Sequence, residues 1–186
     1  EMDKTRAALA MCENIDWNVG RVLKKLDKLN IADNTIVIYF SDNGPNTFRW
    51  NNDMRGKKAT TDEGGVRVPC LVRWPDGGIA PGTRIDSIAG AIDLLPTLAS
   101  ATGATPLGDK AIDGRSLVPM LQGTGEPWPE RLIFSTWGKR GVSVRNQRYI
   151  MDEKGKLYDL KSDPGQRKPI NAQQLKVVEA LSAGLI

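Results

Sequence analysis

The 186-residue chain contains no histidine. Its absence removes the commonest general base near neutral pH and the commonest metal-binding nitrogen. Cysteine is scarce too, with only Cys12 and Cys70, so neither a disulfide scaffold nor a thiolate metal site is indicated. Cys12 falls on the apolar side of a helical pattern and Cys70 in a strand-like run, which makes both expected small buried hydrophobes. No apolar run approaches the ~20 residues of a membrane span. Basic residues exceed acidic ones only slightly, 26 against 22 for a net charge of +4, and the two signs are interspersed. A nucleic-acid partner is not indicated. Internal repeats and low-complexity segments are also missing.

What is present is ordinary globular material, 40% apolar and 26% charged, with enough chain for one domain or one and a half. The stretch around which the rest is organised is Thr35-Ile36-Val37-Ile38-Tyr39-Phe40 followed by Ser41-Asp42-Asn43-Gly44. An unbroken apolar, β-branched run bounded by polar turns predicts a strand buried on both faces, as in a parallel sheet between helices. Ligands in such sheets sit beyond the carboxyl ends of the strands. Asp42 and Asn43 there offer hard oxygens suited to Ca²⁺ or Mg²⁺. The same four residues also suit an ordinary Asp/Asn/Gly turn, and both readings stay open at this point.

Ahead of that strand, apolar residues from Ala8 to Leu29 recur at three- and four-residue steps, predicting an amphipathic helix. The chain opens on Glu1 inside this pattern, so its start reads as a cut and the lack of a signal peptide carries no information. After Gly44 a long polar loop runs to Asp53, and Gly64-Gly65 makes a close turn before a short strand from Val68 to Val72. Ser87 to Ala91 is expected to be a further strand, and Asp93 to cap a helix that stops at Gly103. Ser116 to Leu121 repeats that pattern, ending at Gly123. A composition shift over Gly123–Pro129 marks a boundary, giving an α/β portion over 1–123 and a small C-terminal subdomain over 124–186. In the latter, Leu132–Ser135, Gly141–Arg145, Arg148–Met151 and Leu157–Leu160 alternate as antiparallel strands, and Leu175, Val178, Leu181 and Leu185 mark a closing helix.

Several of these segments, in this order, resemble the sulfatase family, whose fold is alkaline-phosphatase-like. The similar stretches are Glu13–Leu23, Ser41-Asp42-Asn43-Gly44, Arg55-Gly56-Lys57-Lys58 with Glu63-Gly64-Gly65-Val66-Arg67-Val68-Pro69, Asp93–Leu98, and Leu157-Tyr158-Asp159-Leu160 with Asp163-Pro164. The resemblance implies that Asp42 and Asn43 are the last two ligands of a calcium site and that Lys58 contacts the sulfate. It implies a formylglycine nucleophile made from a Cys/Ser-x-Pro/Ala-x-Arg motif. No such motif occurs here, since neither Cys12-Glu13-Asn14 nor Cys70-Leu71-Val72-Arg73 fits. The expectation is the C-terminal portion of a sulfatase, with formylglycine, the paired aspartates of the metal site and the remaining catalytic residues in a missing N-terminal half.

By that resemblance a calcium ion and the Lys58 ammonium would stabilise the negative charge that builds on a sulfate ester as it is cleaved. Arg55, Glu63 and Arg67 are expected to form structural ion pairs around the Gly64-Gly65 turn. A secreted or periplasmic location is implied by resemblance alone. Activity of this chain by itself is not expected. Two alternatives remain: a non-catalytic remnant that binds sulfated glycans through Arg55, Lys57 and Lys58, and a related phosphodiesterase, which the absence of histidine disfavours.

Overall fold

Apolar side chains at three- and four-residue spacing wind Met2–Lys28 into helix α1, with Lys25 and Lys28 in the last turn, where the helix dipole favours cations. In the computed structural model, which describes residues 2–105, 108, 110–125, 127–138 and 141–184, no residue of α1 is buried. Leu9, Met11, Trp17 and Val22 all lie exposed on it. Val37–Phe40 forms β1 and Cys70–Arg73 forms β2, paired in a two-stranded sheet. The expected burial of β1 on both faces is not found. Its residues are half-buried and Phe40 is exposed, because one helix and two strands are too little material to enclose a strand. For the same reason Cys12 and Cys70 are exposed free thiols and not buried hydrophobes.

The stretch up to Tyr39 with Cys70–Thr83 makes one compact unit, and Phe40–Pro69 with the chain from Arg84 onward makes the second. Within the first, Arg73 Nη1 donates to the Ala32 carbonyl at 3.0 Å, and the Asp76 amide donates to the Asp33 carbonyl at 3.0 Å.

The second unit is built on the antiparallel sheet that alternation predicted. Ile133–Trp137 (β3), Gly141–Arg145 (β4), Tyr149–Met151 (β5) and Leu157–Asp159 (β6) pair in sequence order. Ile133 lies opposite Arg145, Val144 opposite Met151, and Ile150 opposite Tyr158. The closing helix, Leu175–Ala183 (α5 below), lays Leu181 onto Val144, Met151 and Leu157, and Leu132, Tyr149, Ile170, Val177 and Val178 seal the margin. Burying each aliphatic side chain contributes about 1.5–3 kcal/mol, so this cluster is the stable centre of the unit. Of the apolar positions expected on α5, Leu175 is exposed, and Leu185 lies outside the described residues.

The remaining helices of this unit are a single turn at Glu63–Val66 (α2), Leu94–Thr102 (α3) and Val118–Gln122 (α4); α5 follows them in the chain. Both α3 and α4 stop where expected, at Gly103 and Gly123. Two expectations are corrected. Ser87–Ala91 is not a strand: the Ile88 amide donates to Gln147 Oε1 at 2.8 Å and its carbonyl accepts from Trp128 Nε1 at 3.2 Å, so side chains replace a ladder. Nor does the Asp93 side chain cap α3. It is fully buried, Oδ1 accepting from the Arg131 guanidinium and the Arg115 amide and Oδ2 from the Gly90 amide, each at 2.8 Å. A carboxylate surrounded by donors from three segments joins them better than it caps one.

Candidate active site

At the end of β1 the chain bends sharply. Ser41 Oγ donates to the Asn43 carbonyl at 3.1 Å, leaving Asp42 exposed and Asn43 half-buried. The Ser41 bond is ordinary turn chemistry, and it lies beside an exposed Asp42 carboxylate. Two backbone hydrogen bonds then draw a distant segment against this strand end: the Gly44 amide donates to the Gly65 carbonyl, and the Lys58 amide to the Pro45 carbonyl, both at 2.9 Å. The approach is close enough to demand glycine. A Cβ on Gly44 would lie 1.9 Å from the Gly64 carbonyl oxygen, and one on Gly65 would lie 2.3 Å from that of Thr60.

Lys58 occupies a corner of a turn clipped by Thr60. The Thr60 amide and hydroxyl both donate to the Lys57 carbonyl, at 3.1 and 2.9 Å. Ala59 beside it has φ 70°, a left-handed conformation that L residues adopt only where the surroundings impose it. Lys58 itself is exposed. Lys57 is half-buried, its ammonium 5.5 Å from the centre of the Phe48 ring, within cation–π range. The sequence-predicted residues Asp42, Asn43 and Lys58 thus stand on two segments that are hydrogen-bonded to each other.

Beneath the Lys58 loop lies a charged network. The Glu63 carboxylate is buried and receives Arg67 at 3.1 Å and Arg145 at 2.6 Å. Arg55 pairs with Asp62 at 3.4 Å and donates to the Tyr158 hydroxyl at 3.4 Å, which in turn donates to Asp152 at 3.3 Å. Burial pushes the Asp62 carboxyl above the usual carboxylate range, with Arg55 opposing it. Ser143 on β4 donates to the Thr61 carbonyl at 2.8 Å. The ion pairs expected of Arg55, Glu63 and Arg67 are present, and Arg145, Ser143 and Tyr158 are additions that sequence reasoning missed. Tyr158 lies inside the Leu157-Tyr158-Asp159-Leu160 stretch; the others carry no local pattern that would mark them.

Chemically, the Asp42 carboxylate and Asn43 amide oxygen suit a hard divalent cation. Among the described residues no three His, Cys, Asp or Glu side chains converge to hold a metal. Two oxygen donors on one turn are a fraction of a cation site, and the exposed Lys58 carries a positive charge on the segment hydrogen-bonded to that turn.

Comparison with known proteins bears on this arrangement. Residues 3–104 match the family model described as Sulfatase, and residues 56–185 match the one described as N-sulphoglucosamine sulphohydrolase, C-terminal. The chain is 47% identical over 132 residues to steryl-sulfatase of Rattus norvegicus, covering 66% of this chain and 23% of that protein. It is 42% identical over 125 residues to arylsulfatase A of Homo sapiens, covering 64% and 24%. With human N-acetylgalactosamine-6-sulfatase the identity is 31% over 211 aligned positions, covering 90% and 40%. Among solved structures, one from a study of glycosaminoglycan metabolism by Bacteroides thetaiotaomicron superposes with TM-score 0.77 at 26% identity over 92% of this chain and 42% of that one. A 2-O GAG sulfatase superposes with TM-score 0.69 at 28% identity, over 92% and 39%. The chain thus spans about a quarter of the first of these curated relatives.

Proposed function

The chain belongs to the sulfatase family, and we propose that it is the C-terminal portion of a sulfatase that cleaves sulfate esters with a formylglycine nucleophile and calcium. On this reading residues 1–123 complete the catalytic α/β domain and 124–186 form a small C-terminal subdomain. What carries the proposal is the pair of hydrogen bonds, Gly44 amide to Gly65 carbonyl and Lys58 amide to Pro45 carbonyl, that joins the Asp42-Asn43 turn to the Lys58 turn. Asp42 and Asn43 would hold the calcium ion as two of its oxygen donors, the rest coming from the missing N-terminal half. When bound, the cation would supply positive charge that offsets the negative charge developing on the sulfate ester. Lys58 would bind a sulfate oxygen through its ammonium and favour the transition state, in which charge on the transferring group is greater than in the substrate. The Thr60 clip and the Gly65 approach hold that lysine's backbone in place before substrate arrives, which lowers the cost of orienting it.

The test joins this chain to a sulfatase N-terminal half that carries the formylglycine motif and follows hydrolysis of 4-nitrophenyl sulfate with and without Ca²⁺. Turnover that depends on Ca²⁺ and falls on Asp42→Ala is the expected result. Turnover indifferent to Asp42 would refute the assignment of the metal turn.

A further inference from the structure

Gln166 belongs to none of the roles assigned so far, yet it is buried to 3% exposure and held at φ 49°, a backbone conformation that a residue with a side chain rarely adopts. Both ends of its amide are spent on one place. Oε1 accepts from the Glu63 amide at 2.9 Å, and Nε2 donates to Asp62 Oδ1 at 3.3 Å. Its neighbours reinforce the grip: the Pro164 carbonyl accepts from the Arg55 amide at 3.1 Å, and the Gln166 carbonyl from Arg55 Nη1 at 3.5 Å. The loop from Arg55 to Glu63, whose neck is closed by the Gly64 amide donating to the Arg55 carbonyl at 2.6 Å, is therefore held at both ends by a turn more than a hundred residues further along the chain. Lys58 sits in the middle of that loop.

We propose that Gln166 is a positioning residue for Lys58, clamping the loop in the shape that presents the lysine to the sulfate; the catalytic half of this statement rests on the reading of Lys58 given above. The chemistry of the site selects a neutral amide. The Glu63 N–H can only donate and an ionised Asp62 can only accept, so one residue must offer an acceptor to the first and a donor to the second. A carboxylate in place of the amide would put two acceptors face to face. The charged groups around it are Asp62, Glu63 and Arg55 on the loop, Asp152 and Glu153 beyond Tyr158, and Asp163 and Arg167 on its own turn.

Gln166→Gly is the informative truncation, because glycine accepts the left-handed backbone and only the side-chain bonds are lost. In this chain alone, hydrogen exchange of the amides from Lys57 to Thr61 should accelerate at least about tenfold while the β4–β5 amides keep their protection. In the chain joined to its N-terminal half, Gln166→Gly should lower kcat/KM about ten- to a hundredfold toward 4-nitrophenyl sulfate. It should add little in a Lys58→Ala background, since both changes act on one interaction. Gln166→Glu should be impaired at neutral pH and recover relative to the wild type as pH falls, when a proton shared with Asp62 restores the donor. That variant also serves if Gln166→Gly folds poorly. Unchanged loop exchange, or fully additive losses with Lys58→Ala, would overturn the proposal. Faster loop exchange together with an inert Lys58→Ala would uphold the clamp and remove the sulfate-binding role of the lysine.

Discussion

Lys58 and Lys57 are neighbours in sequence, but Lys58 is exposed and Lys57 is half-buried beside Phe48, and the difference is measurable. A hydrogen bond from a charged donor is worth about 1.5–3 kcal/mol, so in the joined enzyme Lys58→Ala should cost roughly ten- to a hundredfold in kcat/KM. Lys58→Arg should rescue poorly, because a planar fork does not replace a compact ammonium. Lys57→Ala loses its place over Phe48 and should stay within about twofold. Steady-state rates for the three variants at one ionic strength check this, and a crippling Lys57→Ala with a mild Lys58→Ala would exchange the two assignments. A second residue-scale expectation concerns acid. Hydrogen bonding from Arg148, at 2.6 and 3.0 Å, holds the Asp159 carboxyl below its ordinary value of 3.8, partly opposed by burial. A depressed folded pKa adds stability above the unfolded value and loses it as pH falls through the folded one. Asp159→Asn should therefore be less stable than the wild type at pH 7, with the gap closing below about pH 4, as read from urea midpoints across pH.

At the scale of elements, the joint between the Asp42-Asn43 turn and the Lys58 turn depends on the absence of a methyl group. Gly44→Ala would drive a Cβ to 1.9 Å from the Gly64 carbonyl oxygen. The segments must part, at a cost of about 1–3 kcal/mol, visible as a lowered melting temperature and faster exchange of the Lys58 amide. The Asp93 junction is a sterner case. Arg131 and Asp93 are both buried, and the carboxylate also serves the Gly90 and Arg115 amides. Asp93→Ala would leave a buried guanidinium without its partner, and losses of about 3–5 kcal/mol are usual for such a change. Chemical denaturation should record it with an unchanged slope. Loss of under about 1 kcal/mol would mean that water replaces the carboxylate freely.

For the whole molecule, the chain alone should bind Ca²⁺ weakly. The ion takes about 6–8 oxygens, and Asp42 with Asn43 offers a minority of them. Calorimetry showing tight, Asp42-dependent binding would mean that the site is completed within these residues. No turnover of an aryl sulfate is expected from the purified chain, which lacks a nucleophile matching the family motif. Helix α1, with no buried residue, should exchange its amides faster than β4 and β5, whose Val144, Ile150 and Met151 are buried.

Much of this organisation was legible in the sequence because it is written in near neighbours. Alternation spelled out β3 to β6, three- and four-residue spacing spelled out α1, and Gly103 and Gly123 marked the helix stops. The Asp42-Asn43 turn and Lys58 could be picked out from their motifs. Tertiary structure decided what depends on partners far along the chain. Asp93 passed for a cap until Arg115 and Arg131, 22 and 38 residues away, claimed its oxygens. Ile88 resembled a strand residue until Gln147 and Trp128 took its backbone. Gln166 gave no sign of reaching Asp62 and Glu63, 104 and 103 residues back. The physical reason is the same throughout. Periodicity reports which face of an element is apolar, whereas a buried polar group is satisfied by whatever donor or acceptor the folded chain brings to it, and burial itself depends on what covers the face.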